Sequence, residues 1–231
     1  MTGTELPLIP SSVVGSHGKP GWWFVGVKAW EAGEMGPADL EEMLDDAADT
    51  AIRDMERAGL DIITDGEVRR LDGYVDSYYA VIKGIQPIPV RRKVGPWGYD
   101  QQTRYEAVGR IETPESGLGI VKEFAYLKAH TQRAVKATCA GPLTFGSRIH
   151  PGGVYRSVVD VAERFAEVIN QELKGLVAAG AEHLQLDEPA RGNVSGQEMA
   201  RLYNRATEGV KAKLGFHVCF GNRFGRSRFD R

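Results

Sequence analysis

Residues 158–189 read VVDVAERFAEVINQELKGLVAAGAEHLQLDEP, and the reading of this stretch decides the fold. Val161, Phe165, Val168, Ile169, Leu173 and Leu176 recur at helical spacing, which predicts a helix from about Val158 to Ala179 with one apolar stripe. Gly180 supplies the stop. His183-Leu184-Gln185-Leu186-Asp187 then reads as a strand, left through polar Glu188 and the breaker Pro189.

The same unit recurs on both sides. Upstream, Leu40, Leu44, Ala47, Ala51 and Met55 predict a helix from Pro37 to Ala58. Pro37 suits the first helical position and Gly59 the end, with Asp39, Glu41 and Glu42 near the start and Arg53 and Arg57 near the finish, as the helix dipole favours. Leu60-Asp61-Ile62-Ile63-Thr64 follows as a strand, closed by Asp65-Gly66-Glu67. A helix over Gly119 to Gln132 leads into Ala134 to Cys139, closed by Ala140-Gly141-Pro142. Downstream, Ser195 and Glu198 form a capping box for a helix striped by Met199, Leu202, Tyr203, Ala206 and Val210. Gly215 to Cys219 is the fifth strand if Val13-Val14-Gly15 is the first. Alternating strands and helices predict an α/β fold with a parallel sheet. Residues 80–115 break the rhythm with Ile82, Ile85, Ile88 and Val90, then Gly95-Pro96-Trp97-Gly98, then Tyr105 to Ile111, and read as a hairpin-like excursion within one domain spanning 1–231.

The chain of 231 residues carries 29 Lys+Arg against 31 Asp+Glu, a formal net charge of −2, which leaves no electrostatic footprint for nucleic acid or an anionic membrane. Its 42% hydrophobic and 26% charged residues exclude a disordered chain. Two cysteines, Cys139 and Cys219, make no disulfide scaffold and read as thiols of a reducing cytoplasm. Met1 to Pro10 lacks the basic and apolar regions of a secretory signal, and no apolar run is long enough for a bilayer.

Every strand leaves through polar or special residues, and in α/β folds these exits form the active-site rim. Two readings of the acids there stand open: they converge on one site, or each caps the next helix. His217 and Cys219 stand two apart at a strand end and so share a side. Imidazole and thiolate are both zinc ligands, but zinc takes at least three protein ligands and no third is evident nearby. The alternative is a core cysteine beside a hydrogen-bonded histidine. Cys139 reads as core, His17 as a hydrogen-bonding residue or a ligand, and His130 and His150 as surface. Val14, Gly15 and Ser16 with Glu67 and Asp187 form a second constellation. It has the chemistry to hold an amino-acid zwitterion, the carboxylates taking the ammonium and the hydroxyl and turn amides the carboxylate. Arg69 and Arg70 are ion-pair candidates for Glu67.

Taken in order, these motifs resemble the C-terminal catalytic domain of the cobalamin-independent methionine synthase family, within the superfamily shared with uroporphyrinogen decarboxylase. Val13 to Ser16, Gly59 to Glu67 with Arg70 and Asp72, Ala140-Gly141-Pro142-Leu143-Thr144, Leu184 to Ala190, and His217-Val218-Cys219 carry the resemblance, the fourth most specifically. It implies a TIM-type (β/α)8 barrel, here truncated after about five βα units. It implies a cytoplasmic, zinc-dependent S-methyltransferase of methionine biosynthesis that acts on the homocysteine thiol. The methyl donor would be a methyltetrahydrofolate or a methylcorrinoid protein. On that resemblance His217 and Cys219 are zinc ligands, Val14, Gly15, Ser16 and Glu67 hold the amino-acid end of homocysteine, and Asp187 takes its ammonium. Two alternatives accompany it: a zinc-dependent alkyltransferase of another thiol such as coenzyme M, and an inactive truncated homologue.

Overall fold

The computed structural model describes residues 6–71, 75–88, 104–189 and 194–219. The chain enters through α1 (Gly21–Glu31) and α2 (Pro37–Arg57), then β1 (Ile62–Ile63). A short α3 (Asp76–Tyr79) precedes β2 (Lys83–Ile88) and β3 (Arg104–Glu112). Next come α4 (Ile120–Ala129), β4 (Ala134–Ala140), α5 (Pro142–Gly146) and β5 (Ile149–His150). The described elements end with α6 (Val158–Ala178), β6 (His183–Asp187), α7 (Gly196–Ala206) and β7 (Lys213–His217).

β1, β4, β6 and β7 lie side by side in that order, every pair parallel. The helix between each pair is what permits this, because parallel neighbours need a long crossover. Strand order follows chain order, with no reversal. β2 and β3 pair antiparallel, from Lys83 opposite Glu112 to Ile88 opposite Arg104, and β5 joins β3 in parallel.

Alternation along the strands separates two faces. Ala137, Cys139, Leu184 and Leu186 belong to the main core, with Val161, Phe165, Val168, Ile169, Leu173 and Leu176 of α6 and Met199 and Leu202 of α7. The whole predicted stripe of α6 is thus buried. Ser157 accepts the Asp160 N–H at 3.1 Å and starts that helix. A second core joins Trp23 and Val27 of α1 to Leu44, Ala47, Ala51, Ile52 and Met55 of α2, with Ile63 and Val68. The opposite face of the sheet carries Lys136, Thr138, Gln185 and Asp187. No described helix is long and apolar enough to cross a membrane.

Several details differ from the sequence expectation, and the strand read over Leu60 to Thr64 narrows to Ile62–Ile63. Val13 to Gly15 form no strand; a single parallel bridge from Ser12 to Ile62 stands there. The last strand runs Lys213–His217 rather than Gly215 to Cys219, because its ladder with β6 closes at Asp187 opposite His217. Pro189, which has no N–H, follows closely on the β6 side. Cys219 therefore lies beyond the strand, and strand alternation does not place it. Finally, α1 has no polar cap and contains two glycines, so periodicity does not mark it; Trp23 secures it by donating its indole N–H to the Val68 carbonyl at 2.9 Å. Gly95 to Gly98 and Ala190 lie outside the described residues.

Candidate active site

The site is built on turns that follow the strands. Gly66 and Glu67 both have positive φ, +72° and +56°. At Gly66 a side chain is excluded, since a Cβ would stand 2.6 Å from the Ala51 Cβ and 2.8 Å from the His17 Cβ. Glu67 is the one positive-φ non-glycine among the described residues. A left-handed glutamate costs about 1–3 kcal/mol and persists only where its surroundings hold it.

They hold it at every atom. Its N–H donates to Asp65 Oδ1 at 3.1 Å. Oε2 accepts the Ser16 hydroxyl at 2.6 Å, and Oε1 accepts the Thr138 hydroxyl at 2.9 Å. Arg70 Nη1 lies 2.9 Å from Oε1, while its Nη2 donates to the Thr138 carbonyl and hydroxyl, each at 2.9 Å. Arg70 is thus the ion-pair partner of Glu67. Arg69 turns away to Glu41 and Asp45 of α2. The His17 N–H donates to the Gly66 carbonyl at 2.9 Å, so the Gly15-Ser16-His17 turn is stitched to the Asp65-Gly66-Glu67 turn. Gly15 is itself left-handed, at φ +81°, and Val14 is exposed. Burial pushes the Asp65 carboxyl up, against the pull of Arg70. Behind the turn, Asp65, Arg70, Glu123, Lys136 and Thr138 line a small cavity.

Asp187, at the end of β6, is buried and accepts the Gln185 amide N–H at 2.6 Å. His217, opposite it in register on β7, brings Nδ1 to 3.6 Å from Asp187 Oδ1. Cys219 is half-buried. The structure therefore joins Ser16 to Glu67 and Asp187 to His217 at the carboxyl edge of one parallel sheet.

Other candidates settle into structural roles. Cys139 is core, and burial pushes its thiol well up, away from thiolate. His17 Nε2 lies 3.4 Å from Asp54 of α2. His150 is exposed, whereas His130 is half-buried and stacks on Tyr126 at 3.8 Å, so it is not simply a surface residue. Glu188 caps α5, accepting the N–H groups of Leu143 at 3.0 Å and Thr144 at 2.6 Å. Burial holds its carboxyl up at about 7. Glu172 does the same for α4, accepting the N–H groups of Leu118 and Ile120. Sequence reasoning passed over Lys136, Thr138 and Gln185. The signal was available: polar residues two apart on two otherwise apolar strands mark a polar face.

The family model described as the catalytic domain of cobalamin-independent synthase matches residues 9–214. The chain belongs to that family. It is 38% identical to a methionine synthase of Saccharolobus solfataricus over 227 residues, which cover 95% of this chain and 65% of the relative. It is 36% identical to a methionine synthase of Sulfurisphaera tokodaii, over 94% of this chain and 63% of the relative. The chain thus spans a little under two thirds of the length of these curated relatives. A solved B12-independent methionine synthase from Shewanella sp. W3-18-1, in complex with selenomethionine, superposes with a TM-score of 0.73 at 27% identity, over 93% of this chain and 62% of that one.

Zinc is the metal that the resemblance implies. Among the described residues, no three His, Cys, Asp or Glu side chains stand together as a metal-binding group. His217 and Cys219 are two donors of the right chemistry, short of the three or more that zinc requires. The described residues alone do not fit a complete zinc centre.

Proposed function

We propose that this chain holds the amino-acid end of homocysteine in an S-methyltransferase of the cobalamin-independent methionine synthase type. The observation that carries this reading is the pairing of Ser16 with Glu67 and of Asp187 with His217 at one sheet edge. Glu67 and Asp187 take the ammonium; the amides of the Val14-Gly15 turn take the carboxylate, while the Ser16 hydroxyl, whose one proton goes to Glu67, holds that turn against the acid. The substrate is thereby oriented with its thiol free for reaction. In the transfer, the homocysteine sulfur forms a bond to the methyl carbon as the donor's bond to that carbon breaks. The electron pair leaves with the donor; the thiol proton is released to solvent if the donor is a methylcorrinoid, and is matched by protonation of the departing nitrogen if it is a methyltetrahydrofolate. The donor is a methyltetrahydrofolate or a methylcorrinoid. His217 and Cys219 are proposed as two members of a zinc set whose other donors are not among the described residues.

Two supports come from relatives. Those quoted above are methionine synthases, and one was solved with selenomethionine, the selenium counterpart of the expected product. Two acids near the ligand favour an acceptor with an ammonium over coenzyme M, which has none. We also read the sheet as an arc of a (β/α)8 barrel in a single domain over 1–231. Its strands follow chain order without a switch point, and α6 and α7 pack on one face.

Calorimetry tests the reading. L-homocysteine is expected to bind, and 2-mercaptoethanesulfonate to bind at least about tenfold more weakly, the effect of one charged contact. Equal binding of the two, or no binding of homocysteine, overturns it.

A further inference from the structure

Lys136 has no part in the chemistry above, yet it sits between the two halves of the site. Its ammonium, half-buried on the polar face of β4, donates to the Val13 carbonyl at 2.8 Å and to the Gln185 side-chain oxygen at 2.8 Å. The Gln185 amide nitrogen donates to Asp187 Oδ1 at 2.6 Å, and that oxygen lies 3.6 Å from His217 Nδ1. The contacts run across three neighbouring strands, β4, β6 and β7.

The direction of this relay is fixed from both ends, by an ammonium that has no acceptor and a carboxylate that has no donor. An ammonium has three donors and no acceptor, so the Gln185 atom facing it has to be oxygen. The amide nitrogen is then turned toward Asp187. Without Lys136, the Asp187 carboxylate alone would hold the amide in this sense. Flipped, Gln185 would set a carbonyl oxygen against the Asp187 carboxylate and push it aside. Lys136 therefore locks the amide in the sense in which Asp187 meets a donor. Holding an ammonium here has a cost: burial lowers its pKa, with Asp187 and Glu67 acting against that shift. An apolar side chain would fill the same space without the desolvation. The charge is retained at a position where its directional chemistry is used.

We infer that Lys136 is a positioning residue which, by setting the orientation of the Gln185 amide, fixes how the Asp187 carboxylate is presented to an ammonium-bearing ligand. The inference rests on the reading of Asp187 as an ammonium-binding group. It predicts that Lys136 governs selectivity for an amino-acid thiol although it lies two side chains away from the ammonium.

The experiment compares the full chain with Lys136→Met, Lys136→Arg, Gln185→Met and the Lys136→Met/Gln185→Met pair. Calorimetry gives the preference for L-homocysteine over 4-mercaptobutanoate, the same thiol acid without the ammonium. Lys136→Met and Gln185→Met are each expected to cut this preference by about tenfold, the loss of one charge-assisted contact. The double variant should cut it no further, and Lys136→Arg should retain most of it. A lysine that only supports the fold would lower both affinities together and leave the preference intact, which overturns the inference. Urea unfolding supplies a ligand-free arm. A relay makes the losses of the two single variants overlap in the double variant, whereas fully additive losses overturn it. If the wild-type chain shows no preference for homocysteine, the methyltransferase reading fails, and the unfolding cycle still decides whether Lys136 and Gln185 act as one unit.

Discussion

Glu67 and Glu188 are both glutamates just beyond parallel strands, and both are 1% exposed, yet they are satisfied in opposite ways. Glu188 draws its donors from one place, the Leu143 and Thr144 amides and the Thr144 hydroxyl at the start of α5. The fit is close enough that a Cβ on Gly141 would stand 2.3 Å from Glu188 Oε2. Glu67 gathers Ser16, Thr138 and Arg70 from three separate segments and bends its own backbone to do so. The acid that caps α5 is satisfied by donors adjacent to one another at a single helix start. An acid whose donors come from remote turns ties those turns together, at a conformational cost the fold alone does not require. Glu188 thus caps a helix, though α5 rather than the next one along the chain, whereas Glu67 links turns from separate segments.

The largest expected effect tests that division directly. Glu67→Ala leaves the buried Arg70 guanidinium without its carboxylate, a loss of about 3–5 kcal/mol in urea unfolding. It also removes an acid proposed to bind the ammonium and unties the Ser16 turn, so homocysteine affinity should fall with stability. Glu188→Ala removes charge-assisted bonds to α5 and should cost about 2–3 kcal/mol, while homocysteine affinity, measured where the variant is folded, stays near that of the parent. Equal loss of affinity in the two variants would erase the distinction.

Much of this was legible in advance, and the reason is periodicity. The stripes of α2 and α6 bury as their spacing predicts, because a long amphipathic helix has one way to face a core. The pairing of Arg70 with Glu67 was also open to sequence reading, since residues three apart in a tight turn can meet. What escaped was non-local or irregular. Thr138 lies 71 positions from Glu67, and nothing near it in sequence announces the contact. The left-handed φ of Glu67 follows from donors on other segments, not from its own preference. Cys219 was placed by extending a strand whose partner ends at Asp187, so its position depended on a register the sequence does not display. The roles of Glu172 and Glu188 as caps depend on which helix start comes within reach.

A smaller effect is expected in the pH dependence of stability. Burial holds the Glu188 carboxyl up at about 7, against an ordinary value of 4.5. Between these two pH values the folded chain keeps a proton that the unfolded chain has lost. The native state binds more protons there, so this residue's contribution makes stability fall as pH rises from about 4.5 to about 7 and then level off. Glu188→Gln cannot ionise and should flatten that part of the profile. An unchanged slope between the parent and the variant would mean that Glu188 is ionised throughout this range.

The smallest expected effect uses a matched pair. Thr138→Val removes a hydroxyl from Glu67, and Thr144→Val removes one from Glu188. Each deletes one neutral donor to a buried carboxylate in nearly the same volume, at about 1–2 kcal/mol in unfolding, and Thr138→Val also removes an acceptor of Arg70 Nη2 and should cost the more. Their consequences for the ligand should differ. The Glu188 carboxylate keeps two backbone donors when Thr144 is changed, and both come from α5, which does not reach the Ser16 turn. When Thr138 is changed, Glu67 keeps Arg70 but loses the contact that fixes its Oε1 on the β4 side, and the carboxylate is free to swing about its bond to Ser16. Homocysteine affinity should therefore drop several-fold in Thr138→Val and stay level in Thr144→Val, a difference of about 1 kcal/mol. With both affinities measured where the variants are fully folded, a gap between them reports the geometry of Glu67 and not the soundness of the fold.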